Sequence, residues 1–232
     1  MVRQVMDREV SKLKNEVLLL GSMAEEAVLS AVNALYLRNH VTARQIFISD
    51  QEINKRRFAI QNAVLILIAT QQPMAHDLRL MTAILEVTSE LERIGDYAKG
   101  IAKVTLAIGD EQFAVPIQDI QMMANRAVSM VHRSLSAFIS EDEIISRVIP
   151  LEDDEVDRMY ESIFQRALKA MIDKPDSIDV TNYLIWVAHN LERTADRATN
   201  ICERTIFIAT GELIDISDLS FSISQTPGQE AY

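Results

Sequence analysis

Two acidic pairs with the same spacing are the residues in this sequence best suited to chemistry. Glu92 and Asp96 lie four positions apart, and Glu192 and Asp196 repeat the pair one hundred residues later. On a helix, side chains four apart share a face with Cβ atoms about 5–6 Å apart, so the two carboxylates repel each other. A repulsive pair present in both halves of a chain predicts that a cation binds there.

The sequence around the acidic pairs is itself repeated. Leu91–Asp96 reads LERIGD and Leu191–Asp196 reads LERTAD, while Asp50–Asn54 matches Asp153–Asp157 at nearly the same offset. One hundred residues is the size of a small helical bundle, so the repetition predicts two copies of one structural module.

Composition favours a helical protein. The 232 residues include 6 Gly and 5 Pro, and 48% are hydrophobic. Folds built from short strands need more turn residues than this. Apolar residues recur with helical spacing almost throughout. We predict an all-α fold of six helices, near residues 7–37, 42–70, 75–107, 116–139, 143–172 and 177–209.

The six helices divide into three and three, with proline turns at Pro73 and Pro175 in matching places. Three antiparallel helices of about 30 residues form a bundle roughly 45 Å long. We predict a first three-helix bundle at 5–110, a second at 111–213, and a loose C-terminal tail at 214–232. The two bundles lie end to end or side by side.

Antiparallel folding about the proline turns brings further acids to the level of each pair. The predicted metal ligands are Glu92, Asp96, Glu52 and Asp50 in the first half, and Glu192, Asp196, Glu155 and Asp157 in the second. The second site is expected to bind a metal less strongly. Arg126 stands where the first half has Glu26, and Asn190 stands where it has Glu90.

Carboxylate oxygens without His or Cys ligands favour Mg, Ca, Mn, or iron in a carboxylate-rich cluster. Zinc is possible but would be unusual without nitrogen or sulfur ligands. The alternative is a solvated polar face, on which Arg93, Arg193 and Arg197 pair with the acids as surface ion pairs of little energetic value.

Charge and hydropathy exclude several classes of function. The net charge of −11 argues against nucleic acid, whose binding depends on cationic contacts, and suits a cation or a basic partner. The single cysteine, Cys202, excludes an internal disulfide and a Cys-rich zinc site. The longest apolar run, 63–69, is far below the ~20 residues of a membrane span, and no apolar signal region is visible. A soluble cytoplasmic protein that does not span a membrane is expected.

Several segments, in order, resemble the PhoU family of accessory regulators of bacterial phosphate transport. They are Gln72–Arg79 (QPMAHDLR), Leu91–Ala98 (LERIGDYA), the repeated motif at Leu191–Asp196, and Phe207–Gly211 (FIATG). The resemblance covers roughly residues 5–215. It implies a fold of two similar three-helix bundles.

The resemblance also implies a function. Members of this family are cytoplasmic, often homodimeric, and contact the ATPase subunit of the phosphate ABC transporter and a phosphate-sensing histidine kinase. They are negative regulators, which keep the starvation response off when phosphate is plentiful. The family's Glu/Asp-x-x-x-Asp motifs map onto Glu92 and Asp96 and onto Glu192 and Asp196, and in some members they hold iron or other metal clusters.

Two alternatives belong to other classes. A carboxylate-bridged metalloenzyme of the ferritin type needs Glu-x-x-His pairs, but the residues three before each histidine are Leu37, Pro73, Ser129 and Trp186. The sequence also lacks a Gly-rich phosphate loop, so we expect no enzymatic activity. The other alternative is a helical accessory protein of a different phosphate or cation transporter, which genomic neighbours would identify.

Overall fold

The structure, a computed structural model, describes residues 2–109, 111–113 and 115–216. These residues form helices without strands, which confirms the all-α prediction. The helices are α1 (Val2–Leu37), α2 (His40–Gln71), α3 (His76–Ile108), α4 (Ile117–Ser140), the short α5 (Glu143–Val148), α6 (Asp153–Asp173) and α7 (Ile178–Thr210).

Local sequence explains where several helices begin and end. The Asn39 side chain accepts a hydrogen bond from the backbone N–H of Thr42 and caps α2 at 3.0 Å. Asp142 caps α5 in the same way, through the N–H of Ile145. Gly211 ends α7 with a φ of 83°, a left-handed conformation that glycine adopts without a Cβ penalty.

The predicted fifth helix, 143–172, is wrong as a single element. The chain tightens into a 3₁₀ turn at Ile149–Glu152 between α5 and α6. Pro150 is the cause, because proline has no N–H to donate to the preceding turn and its ring crowds the carbonyl four residues back. The apolar spacing continues across this break, since Ile149, Val156 and Ile163 are all buried. As a result, α6 begins at Asp153.

The helices form two antiparallel trios that lie side by side. Helices α1, α2 and α3 pack together, as do α4, α6 and α7, while α3 packs against α7 and α1 against α4. One continuous core runs through both trios and includes the fully buried Leu20, Ile101, Phe138 and Ile201. Because the trios share a core, the predicted domain boundary near residue 110 stays a prediction.

The start of the predicted loose tail, 214–232, is held against the fold. Ile216 is buried, and its backbone N–H donates to Glu203 Oε1 at 3.1 Å. The remainder of that segment, 217–232, lies outside the described residues.

Within the described residues, the segment 4–37 of α1 is the one stretch long and apolar enough to cross a membrane by length and composition. Its Val17, Leu20, Ala24 and Val28 side chains are fully buried against the other helices. This is the pattern of a core helix, which has the same length and composition.

Polar contacts join the two trios at one end. His76 Nε2 lies 2.6 Å from Glu141 Oε2, and Lys14 Nζ donates to Glu141 Oε1 at 2.8 Å. Arg79, at the start of α3, donates from Nε and Nη2 to the carbonyl of Ile208 near the end of α7, at 3.2 and 3.1 Å. The histidine and arginine of the QPMAHDLR segment therefore hold the two halves together.

We predict that Arg79→Ala lowers the free energy of unfolding by about 1–3 kcal/mol, because it removes two charge-assisted hydrogen bonds to one carbonyl. Urea unfolding followed by circular dichroism measures the loss. Arg93→Ala is the matched control on the same helix, since the Arg93 side chain is 54% exposed and pairs with Glu90 on the surface. Equal effects of the two substitutions would contradict the stabilising role of the Arg79 hydrogen bonds between the trios.

Candidate metal centre

The acids of each half meet in the seam between two adjacent helices. The repeat pairs Asp50 with Asp153, Asn54 with Asp157, Glu92 with Glu192, and Asp96 with Asp196. We call Asp50, Glu92 and Asp96 the first cluster, and Asp153, Asp157, Glu192 and Asp196 the second cluster. The first lies between α2 and α3 and the second between α6 and α7, so six of the eight predicted ligand residues belong to a cluster.

The first cluster contains an ammonium group. Lys99 Nζ lies 2.5 Å from Asp50 Oδ2 and 3.8 Å from Asp96 Oδ1. Asp50 is only 3% exposed, and its Oδ2 also accepts a hydrogen bond from Asn54. The hydrogen bond to Asp50 raises the pKa of Lys99, and the negative charges of Asp50, Asp96 and Glu92 raise it further. Lys99 is therefore charged and positioned by two members of the cluster.

A second cation acts on the first cluster. Burial raises the pKa of Glu92, the charge of Arg57 opposes this shift, and the charges of Asp96 and Asp50 add to it. The three carboxylates of the first cluster are thus compensated in part by Lys99 and Arg57.

The second cluster has no counterpart of Lys99, because Thr199 takes its place. Burial raises the pKa of Asp153 from its ordinary value of 3.8 to about 7, and the charges of Asp196, Asp157 and Glu192 add to the shift. Partial burial also raises the pKa of Glu192 and of Asp157, with Asp196 adding to both. Four carboxylates therefore repel one another, and one of them becomes half protonated near neutral pH.

Buried oxygens without a hydrogen-bond partner occur in both halves. Among the described residues they include Asp50 Oδ1 in the first cluster, Asp153 Oδ1 in the second, and Thr199 Oγ1 on α7. Buried polar atoms are usually hydrogen-bonded, and such exceptions need an explanation, which can be an absent ion or water.

Two basic groups border the second cluster. His189 Nδ1 lies 3.0 Å from Glu192, and Arg197 Nη2 lies 3.7 Å from Asp196.

Glu52 does not face the first cluster as predicted. It pairs with Lys55 at 2.7 Å and lines a groove of about 380 Å³ between α1 and α2, together with Glu26. Glu52 lies two positions after the cluster acid on its helix, and two residues turn a helix by about 200°. Counting from the turns predicted the level of this acid correctly, but not its face.

Glu155 departs from the prediction for the same reason. Its Oε2 lies 2.5 Å from Arg126 Nη2, so the side chain is directed toward α4 rather than α7. The acid that faces the acids of α7 is Asp153, which is not among the ligands predicted from the sequence. The alignment of Asp50–Asn54 with Asp153–Asp157 contained the signal, because Asp153 is the counterpart of Asp50.

The weaker metal binding expected of the second site stays a prediction, but the acids of the two halves differ in their contacts. Glu90, counted in favour of the first half, instead accepts hydrogen bonds from Arg197 and Asn200 and joins α3 to α7. Its counterpart Asn190 is buried and donates to the carbonyl of Trp186. With Lys99 beside the first cluster, the second cluster carries the larger net negative charge.

The second cluster fits a cation in its chemistry. It has carboxylate oxygens, a buried unpartnered oxygen and excess negative charge, all of which suit a hard divalent ion. No three His, Cys, Asp or Glu side chains in the described parts of the chain are already grouped closely enough to hold an ion. Coordination would therefore require side chains of this cluster to rotate inward.

The fold and the site together define a class: a duplicated all-α protein in which a Glu-x-x-x-Asp pair of each half faces an acid on the neighbouring helix. Comparisons with known proteins identify the family. The PhoU domain matches residues 17–105 and 120–205, one copy in each half. The chain belongs to the PhoU family.

Individual relatives agree with this assignment. A phosphate-specific transport system accessory protein PhoU homolog of Clostridium acetobutylicum is 33% identical, over 94% of this chain and all of that protein. The crystal structure of the phosphate transport system regulatory protein PhoU from Streptococcus pneumoniae superposes with a TM-score of 0.85 at 31% identity, covering 90% of this chain and 99% of that one. PhoU from Pseudomonas aeruginosa gives 0.84 at 29%, covering 89% and 99%.

The raised pKa of Asp153 predicts that the free energy of unfolding of the metal-free protein depends on pH. The folded-state pKa, about 7, lies above the ordinary 3.8, so the stabilisation from the protonated form is lost as pH rises through about 7. Asp153→Asn should therefore raise the free energy of unfolding by about 1–2 kcal/mol at pH 8, after discounting for partial exposure.

This gain should shrink as the pH falls toward 4.5, because the wild-type carboxyl is then protonated in the folded state. Denaturant unfolding of EDTA-treated protein at several pH values measures it. Glu161→Gln on the exposed face of α6 is the control and should change little at any pH. A pH-independent effect of Asp153→Asn would contradict the assignment.

Proposed function

We propose that this protein is an accessory regulator of a phosphate-specific transport system. The observation that carries the proposal is membership of the PhoU family over both halves of the chain, with relatives named as accessory or regulatory proteins of phosphate transport. The shared motif segments and the full-length match to those relatives support the same role here.

The adaptor role is the finer part of the proposal. In the cytoplasm, the protein contacts the ATPase subunit of the phosphate ABC transporter and a sensor histidine kinase, and keeps the kinase from inducing starvation genes when phosphate is plentiful. A homodimer is supported by apolar side chains exposed on α1 and α2, among them Leu18, Leu19, Leu65 and Ile66.

The metal-binding part of the proposal concerns the second cluster. Asp153, Asp157, Glu192 and Asp196 would hold a divalent ion, and carboxylate oxygens favour Mn, Mg, Ca or iron over zinc. The ion supplies positive charge to a seam that otherwise relies on protons. The residues of the chain supply the oxygens and fix the separation of α6 and α7.

The proposal assigns no catalytic step to this chain. Burial raises the pKa of the Cys202 thiol to about 12, so that side chain stays protonated and is a poor nucleophile. Three of the four histidines lie on the surface against carboxylates: His76 against Glu141, His132 against Glu25 and His189 against Glu192. These contacts suit a binding protein.

Deleting the gene in the organism that encodes it should switch on phosphate-starvation genes in phosphate-rich medium, because the kinase loses its inhibitor. A reporter fused to a starvation promoter measures the change, and a plasmid copy of the wild-type gene should restore repression. Repression that persists in the deletion strain would contradict the regulatory role.

The metal-binding proposal is tested by the metal content of purified protein. Asp196→Asn should reduce the bound metal at least fivefold, because it removes one of four clustered oxygen ligands. The matched control, Glu161→Gln, should retain the wild-type content. Inductively coupled plasma mass spectrometry measures the metal, and wild-type protein without metal after growth in manganese- and iron-rich medium would refute this part of the proposal.

A further inference from the structure

The two clusters differ most at one position of the repeat. Lys99 follows Asp96 by three residues in the first half, and Thr199 follows Asp196 by three in the second. We propose that the Lys99 ammonium is a tethered counter-ion that fills the first cluster, so that each chain takes up a single divalent ion, at the second cluster. This inference rests on the metal-binding part of the proposed function.

The Lys99 ammonium lies within ion-pair distance of two carboxylates of the first cluster. Its Nζ is 2.5 Å from Asp50 Oδ2 and 3.8 Å from Asp96 Oδ1. A Mn, Mg or Ca ion binds carboxylate oxygens at about 2.0–2.6 Å. An ion bound to Asp50 at that distance would occupy the place of the ammonium group.

Electrostatic repulsion also disfavours a divalent ion at the first cluster. The lysine and Arg57 place two positive charges against the three carboxylates of the first cluster, and both charges repel an incoming divalent ion. An ion that binds Asp50 Oδ2 must also displace Lys99 from a side chain that is 4% exposed. The free energy gained from the ion is therefore offset by the loss of a buried ion pair.

The neighbouring Phe47 helps to keep the lysine in place. Lys99 Nζ lies 5.5 Å from the centre of the Phe47 ring, within the range of a cation–π contact. Lys103, one turn further along α3, lies 5.4 Å from the same ring but forms no ion pair with the acids of the first cluster. Lys103 is therefore a matched control for the loss of a lysine beside this ring.

The second half lacks the ammonium group. Thr199 stands in place of Lys99 and supplies a neutral hydroxyl. Asp153 Oδ1 and its counterpart Asp50 Oδ1 are both buried without a hydrogen-bond partner among the described residues, but of the two acids Asp50 has an ammonium group at its other oxygen. The place of Asn54 is taken by Asp157, which adds a fourth acid. Ligand oxygens that Lys99 neutralises in one half are available in the other.

The experiment is a titration of EDTA-treated protein with Mn²⁺, in which electron paramagnetic resonance measures the free ion and gives the number bound per chain. Wild-type protein should bind one Mn²⁺, and Asp196→Asn should bind none at the same concentrations. The double variant Lys99→Thr/Asp196→Asn should regain one ion, now at the first cluster. Lys103→Thr/Asp196→Asn should regain none.

Each outcome bears on a different claim. Two ions on wild-type protein, or one ion retained by Asp196→Asn, would overturn the role of Lys99. No ion on wild-type protein but one on Lys99→Thr/Asp196→Asn would refute metal binding in the proposed function while supporting the role of Lys99. A folded Lys99→Thr/Asp196→Asn variant that binds no ion would overturn the role of Lys99.

If the threonine variants fail to fold, as judged by circular dichroism, Lys99→Met/Asp196→Asn keeps the lysine stem and removes only the charge. It should also bind one ion, and Mn²⁺ should raise its melting temperature more than that of Asp196→Asn alone. An equal shift in the two proteins would count against the proposal.

Discussion

Negative charge placed in a packed seam between helices must be neutralised, and the rest of this structure depends on how each half does so. A carboxylate removed from water loses hydration that only a cation, a hydrogen-bond donor or a proton can replace. The first half uses Lys99, a cation within its own chain. In the second half a proton serves, since burial raises the pKa of Asp153 to about 7. A divalent ion bound there, as proposed, would compete with protons for the same oxygens.

The charge of the first cluster is therefore compensated by the chain itself, whereas the charge of the second cluster changes with pH and, as proposed, with a bound ion. A ligand that binds only the folded state stabilises it by an amount that increases with the ratio of ligand concentration to Kd, so ion binding between α6 and α7 would stabilise that pair of helices. Helix α7 also forms the contact with the other half, where Arg197 Nη1 lies 3.0 Å from Glu90. The same arginine lies 3.7 Å from Asp196. The charge of the second cluster therefore acts on Arg197, the residue that forms this contact between the trios.

Sequence reasoning predicted the fold and the level of each acid, because both depend on features that the chain repeats. Helical spacing, the proline turns and the duplication place the acidic pairs opposite neighbouring helices. It failed where a single residue decides the outcome. Pro150 interrupts a helix whose apolar spacing continues on both sides, as Ile149 and Val156 remain buried. Glu52 and Glu155 lie two positions from the correct acids, and at about 200° of rotation they face other helices.

The cation in the first cluster was harder to predict, since a lysine three positions after an aspartate is ordinary on a solvated helix face. Its meaning depends on Asp50, a buried acid on another helix, and so on tertiary packing. An internal repeat nevertheless offers a control that a single module lacks. Where both copies keep the acids, the residue that differs between them, Lys99 against Thr199, marks where charge compensation has changed. Divergence between the halves is thus as informative as their likeness, because the shared fold holds the geometry constant.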